Sequence, residues 1–185
     1  MPQLPRAALD ARLDWIRAAP AQDGVVRLIV RRPAEDEREL LERGSLDTAT
    51  GLVGDSWVAR PSAESEDGGP ASDAQVTVMN ARAAATVADG EDRERWALAG
   101  DQLYVDLDIS HANLPAGTRL AIGGAVLEIT ELPHNGCGKF SKRFGVDAMK
   151  FVNSPEGRAL RLRGANARVV ESGEIAAGDP IRKLG

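Results

Sequence analysis

The chain has 185 residues, 43% hydrophobic and 28% charged, which suits one soluble globular domain with a substantial core. Its formal net charge of −5 argues against a general nucleic-acid-binding surface, and its single cysteine excludes an intramolecular disulfide or a multi-cysteine metal site. No run approaches the ~20 apolar residues of a membrane helix. The segment Met1–Arg6 lacks the apolar core of a signal peptide, so a cytoplasmic setting with a reduced thiol is expected.

Residues 5–18 read as an amphipathic helix, with Leu9, Leu13 and Ile16 on one face and Pro20 as its stop. Val25–Arg32 is rich in β-branched residues and reads as the first strand, closed by Pro33. Residues 35–43 are either a short helix or a loop. Gly51-Leu52-Val53-Gly54-Asp55 is turn chemistry, with Asp55 able to cap nearby amides. Trp57 is either a core residue or part of a ligand wall. Residues 60–74 are almost wholly polar or small and read as an exposed, flexible loop.

Gln75–Met79 is a short strand, followed by a helix with Asn80 as its N-cap. A second short helix spans Arg93–Leu98 and ends at Gly100. Residues 100–109 combine a turn with a strand. Their three aspartates do not match a calcium-loop spacing, and His111 reads as a surface residue. Arg119–Ile122 and Ala125–Thr130 form a hairpin about Gly123-Gly124. Ser154 and Pro155 start a helix expected to run to about Arg163, and Asn166–Glu171 reads as a strand. Short strands separated by glycine turns point to a β-barrel or sandwich with peripheral helices.

The chemistry gathers at Pro133-His134-Asn135-Gly136-Cys137-Gly138-Lys139-Phe140. The strand before it and the helix-like run after it place the thiol in the first turn of a helix. Free amides and the positive end of the helix dipole favour a thiolate there. Lys139, Lys142 and Arg143 add the same bias. From His134 to Arg168 eight Lys or Arg face two acids, a local +6 that leaves −11 for the rest of the chain. That excess is either a solvated basic face or an anion site beside Cys137.

Taken in order, Gly51–Asp55, Gly100-Asp101-Gln102-Leu103, Pro115–Gly123, the isolated Cys137, Asn166–Val169, Gly173-Glu174-Ile175 and Gly178-Asp179 resemble the MOSC domain. That domain is named after the C-terminal part of molybdenum cofactor sulfurase. The resemblance runs from about Val25 to Lys183. It implies a mainly β (α+β) fold, a β-barrel with short peripheral helices. On this reading residues 1–20 are an N-terminal helical appendage and 21–185 are the MOSC-like domain.

The resemblance further implies that Cys137 either carries a persulfide sulfur or ligates molybdenum in molybdopterin. Lys139, Arg143, Arg163 and Arg168 become candidates to hold the cofactor's phosphate, and Asn135 and Asn166 to bond a pterin edge. His134 is placed to tune the thiol. Ser56 and Trp57 stand where related members often carry a histidine, and Gln102 stands in a Gly-Asn-Leu type of motif. Pyridoxal phosphate is not expected, because no lysine has the strand and aspartate context it needs.

The functional expectation is therefore a molybdenum-cofactor-linked redox or sulfur-transfer protein with a single reactive cysteine. Its partner is a small-molecule cofactor or a sulfur donor such as a cysteine desulfurase. The contrasting expectation is a non-enzymatic binding module whose cysteine is buried and inert. The sequence leaves the oligomeric state open.

Overall fold

The computed structural model describes residues 3–63, 65 and 68–185. Three residues of the expected loop at 60–74, Glu64, Glu66 and Asp67, therefore lie outside the described residues. Among the described residues no helix is long and apolar enough to cross a membrane.

Seven strands close into a barrel. Their order is β1 (Asp23–Arg31), β6 (Leu103–Asp106), β5 (Val76–Asn80), β9 (Ala165–Glu171), β8 (Ala125–Ile129), β7 (Arg119–Ile122) and β11 (Pro180–Lys183), which returns to β1. Among the described residues only β5 and β6 pair in parallel; the other barrel pairings are antiparallel. A parallel pair needs a crossover. The chain supplies it as α3 (Ala81–Ala88) and α4 (Arg93–Ala97). Closure removes the unpaired edges that an open sheet would expose. A three-stranded sheet of β10 (Gly173–Ala176), β3 (Arg43–Asp47) and β4 (Gly51–Leu52) lies beside the barrel.

Strand alternation divides the apolar side chains into two clusters. Ile29, Val76, Val78, Leu103 and Val105 join the barrel interior. Leu28, Val30, Met79 and Tyr104, from the same three strands, pack outward with the helices. On β1 the register shifts between Val26 and Leu28, so both Val26 and Ile29 reach the interior. The outer cluster takes in Leu9 and Ile16 near the N-terminus, together with Trp96, Phe140, Phe144 and Phe151.

Several local expectations change. The helix expected over 5–18 divides into α1 (Arg6–Asp10) and α2 (Leu13–Arg17) around a turn at Ala11 and Arg12, where Arg12 N–H bonds the Leu9 carbonyl three residues back. Part of 35–43 is a strand, β2 (Glu39–Leu41), because it pairs with Ile29–Arg31 of β1. The helix starting at Pro155 stops at Ala159, as α7, and four turn residues follow before Gly164. Ser154 does cap it, accepting from Gly157 N at 3.0 Å. Asn80 caps α3 through Arg82 N and Ala83 N.

Candidate functional site

Strand β8 ends at Ile129, and eight residues later Cys137 forms the N-cap of α5 (Gly138–Phe144). Phe140 and Phe144 are both buried, with ring centroids 4.9 Å apart, and fix the helix against the core. Helix α6 (Val146–Asn153) returns alongside it. Its last residue, Asn153, clamps the approach to the cysteine. Asn153 Oδ1 accepts from Gly136 N at 2.9 Å, and Asn153 Nδ2 donates to the Gly136 carbonyl at 3.0 Å. A Cβ at Gly136 would come within 2.9 Å of Val152, so only glycine allows that approach.

Cys137 is exposed, so the expectation of a buried cysteine does not hold. It lines a cleft of about 580 Å³ that also takes in Arg32, Arg38, Arg60, Lys139, Arg143 and Arg163, with Glu35 and Asp36 as its acids. Partial burial works against the thiolate. Backbone N–H groups of Phe140 and Lys139 and the charge of Arg163 outweigh it, and the thiol pKa falls below its ordinary value.

Behind the thiol lies a buried charge cluster. Asp101 is fully buried; its Oδ2 accepts from Arg163 Nη1 at 2.5 Å and its Oδ1 meets His134 Nε2 at 3.0 Å. Burial alone would raise the Asp101 carboxyl, but the Arg163 charge reverses this and holds it at about 2. Burial, followed by Arg163, lowers the His134 pKa. Neutral His134 therefore donates Nε2–H to Asp101 and keeps Nδ1 as an acceptor. Gly164 makes this packing possible. Its φ is +119°, and a Cβ there would lie 3.0 Å from Asp101 Oδ1 and 3.1 Å from the His134 ring.

A second buried pair brings Arg32 to the same cleft. Asp55 accepts from Arg32 N, Nε and Nη2, each at 2.9 Å, and from Trp57 N at 3.0 Å. Trp57 itself is buried and gives its ring N–H to the Ala71 carbonyl. On the rim the pairs are exposed: Lys139 Nζ meets Glu35 at 2.6 Å and Arg143 Nη2 meets Asp36 at 2.7 Å.

The structure thus gathers Cys137, Lys139, Arg143 and Arg163 in one cleft. Arg168 is not among them. On β9 it alternates outward between buried Ala167 and Val169, and its guanidinium meets Glu128 at 2.5 Å on the outside of the barrel. Asn166 is spent differently from the expected pterin contact. Its Nδ2 bonds the Leu132 carbonyl at 3.0 Å and the Pro133 carbonyl at 3.3 Å, so it holds the segment that leads to the thiol. Asn135 and Asn166 line a separate pocket on the other side of that segment, and His134 and Arg163 line both.

Sequence reasoning missed Arg32, Arg38 and Arg60. They lie in the acidic N-terminal half, where a regional charge count hides them. The one local signal was Asp55 after a glycine turn, a carboxylate in need of partners.

The MOSC domain family model matches residues 49–182. Solved structures share the fold. The YuaD protein from Bacillus subtilis is 14% identical with a TM-score of 0.59, covering 86% of this chain and 94% of that one. YiiM from Escherichia coli is 16% identical with a TM-score of 0.56, covering 87% and 70%. YiiM from Geobacillus stearothermophilus is 11% identical with a TM-score of 0.53, covering 88% and 73%. No curated protein matches the chain by sequence.

Proposed function

Because this chain belongs to the MOSC domain family, which is generally linked to molybdenum-cofactor chemistry, we propose that it is a molybdenum-cofactor-linked redox or sulfur-transfer protein acting through Cys137. One observation carries this reading. An exposed thiol of lowered pKa stands in a cleft lined by Arg32, Arg38, Arg60, Lys139, Arg143 and Arg163.

The donor set fits an anionic, sulfur-preferring group. A thiolate is a soft ligand, and guanidinium and ammonium groups are the usual holders of phosphate. Arg163 Nε adds a specific sign, a buried donor without a hydrogen-bond partner among the described residues. Cys137 would hold the metal through sulfur, while Lys139 and Arg143 at the rim would hold the phosphate. When bound, the cofactor supplies a redox-active metal centre that already prefers sulfur. Asp101 keeps Arg163 oriented, and His134 offers Nδ1 as an acceptor in the cleft wall.

The same thiolate is suited to accept sulfur from a persulfide donor such as a cysteine desulfurase. Cys137 sulfur attacks the outer sulfur of the donor, a new S–S bond forms, the old one breaks, and the donor departs as its thiolate. No outside oxidant is required.

The test compares wild type with Cys137→Ser, both produced in a cofactor-competent host. Elemental analysis reads molybdenum, and intact mass after incubation with a loaded desulfurase reads a gain of about 32 Da, one sulfur. Wild type is expected to show molybdenum or the adduct, and the serine variant neither. Wild type showing neither, or a serine variant matching wild type, overturns the proposal.

A further inference from the structure

Three arginines are buried to the same degree, Arg32, Arg161 and Arg163, each 7% exposed. Arg32 is paired with Asp55 and Arg163 with Asp101. Arg161 has no carboxylate partner among the described residues. Its guanidinium donates from Nη1 to the Ile109 carbonyl at 3.2 Å and to the Leu114 carbonyl at 2.6 Å. Carbonyls offer only partial negative charge. Burial lowers the Arg161 pKa, with no acid raising it. A buried, unpaired cation is costly, and native proteins normally neutralise one.

Arg161 also has positive φ, at 50°, where it closes the C-terminal end of α7: Leu162 N–H bonds the Gly157 carbonyl across it at 2.8 Å. The cap fixes where the buried cation stands, and Arg161 lines the pocket behind the thiol segment, about 270 Å³ in volume.

The rest of the pocket has matching chemistry. Arg158 is exposed, with no side-chain partner among the described residues. His111 is exposed too, and its pKa is lowered by partial burial and then by the Arg161 charge. Glu131 also lines the pocket but forms no ion pair with Arg161. The apolar portion comes from Leu132, Pro133 and Val152. A cavity of this size, just under the range for drug-sized ligands, suits a small molecule.

We propose that this pocket binds a small organic oxyanion, its carboxylate or phosphate group seated on Arg161, with Arg158 and His111 closing over it. The site is distinct from the Cys137 cleft, although the two share His134 and Arg163 as a common wall. The proposal does not depend on what the thiol cleft binds.

The test titrates the full-length protein with sodium acetate and, separately, inorganic phosphate at constant ionic strength, followed by amide NMR. Saturable shifts are expected in 109–114 and 158–164, and the tighter of the two probes identifies the head group. Arg158→Ala is expected to weaken binding about tenfold, the loss of one charge-assisted hydrogen bond. Arg161→Gly is expected to abolish binding, since glycine accepts the left-handed backbone while removing the cation. Arg60→Ala, in the other cleft, leaves this binding unchanged.

Shifts confined to 137–143 overturn the proposal. So does an Arg158→Ala variant that binds like wild type, which would reduce Arg161 to a structural pin on two carbonyls. Should Arg161→Gly fail to fold, Arg158→Ala decides alone.

Discussion

On the inner wall of the thiol cleft, Arg32 and Arg163 are each held by a carboxylate with no solvent exposure, Asp55 and Asp101. On the rim, Lys139 and Arg143 meet Glu35 and Asp36, whose side chains are 80% and 64% exposed. Buried partners fix the inner cations in orientation, and water cannot replace those partners. The rim pairs compete with water and salt, so Lys139, 60% exposed, can change partners at little cost, while Arg143 also holds the Leu98 carbonyl at 2.9 Å. The cleft therefore joins a preorganised wall to an adaptable mouth. A rigid positive surface beside the thiol is in place before any ligand arrives, and Lys139 on the rim is free to turn to an incoming anion.

The largest effect should come from breaking the inner wall. Asp101→Asn or Asp55→Asn leaves a buried guanidinium uncompensated and should lose about 3 kcal/mol of stability, read by denaturant or thermal unfolding. A loss no larger than that of the rim variants would abolish the distinction between the walls.

Acid should reproduce part of this loss. The folded Asp101 pKa, about 2, lies below its ordinary value of 3.8. Its contribution is therefore complete above the unfolded value and disappears as pH falls through about 2. That amounts to about 2 kcal/mol. Unfolding measured across this window should show a slope in wild type that Asp101→Asn flattens.

A smaller effect concerns the thiol. The alkylation rate of Cys137 should titrate with a midpoint below that of an ordinary cysteine. Lys139→Ala should leave that midpoint nearly unmoved, because residue 139 acts through its backbone N–H. A large upward move would shift the credit from amides to the ammonium.

The smallest effect belongs to the rim. Glu35→Gln with Asp36→Asn should leave the melting temperature where it is and tighten phosphate binding in the Cys137 cleft, since the competing carboxylates are gone. A clear drop in melting temperature would show the rim to be structural.

Much of the barrel was legible because its signals are local. β-branched runs, the Gly123-Gly124 hairpin, and the Asn80 and Ser154 caps each depend on neighbours in sequence. The position of Cys137 at the start of α5 was legible for the same reason. Strand β2 was not, because residues 39–41 are extended only through their pairing with β1. Arg168 lies outside the thiol cleft, a placement that no charge count conveys, because a charge count has no faces, whereas a strand does.

By itself the sequence determined most of the elements, the family resemblance and a lone thiol in a glycine-rich turn followed by basic residues. Tertiary structure decided which cations share a wall with that thiol. It brought Arg32 from the end of β1 and Arg163 from the turn before β9 into one cleft, each on its own aspartate. It also left Arg161, two residues from Arg163, equally buried but without a carboxylate. The reason is physical. Local propensity acts within a few residues, whereas burial and charge pairing depend on how a closed barrel brings distant segments together.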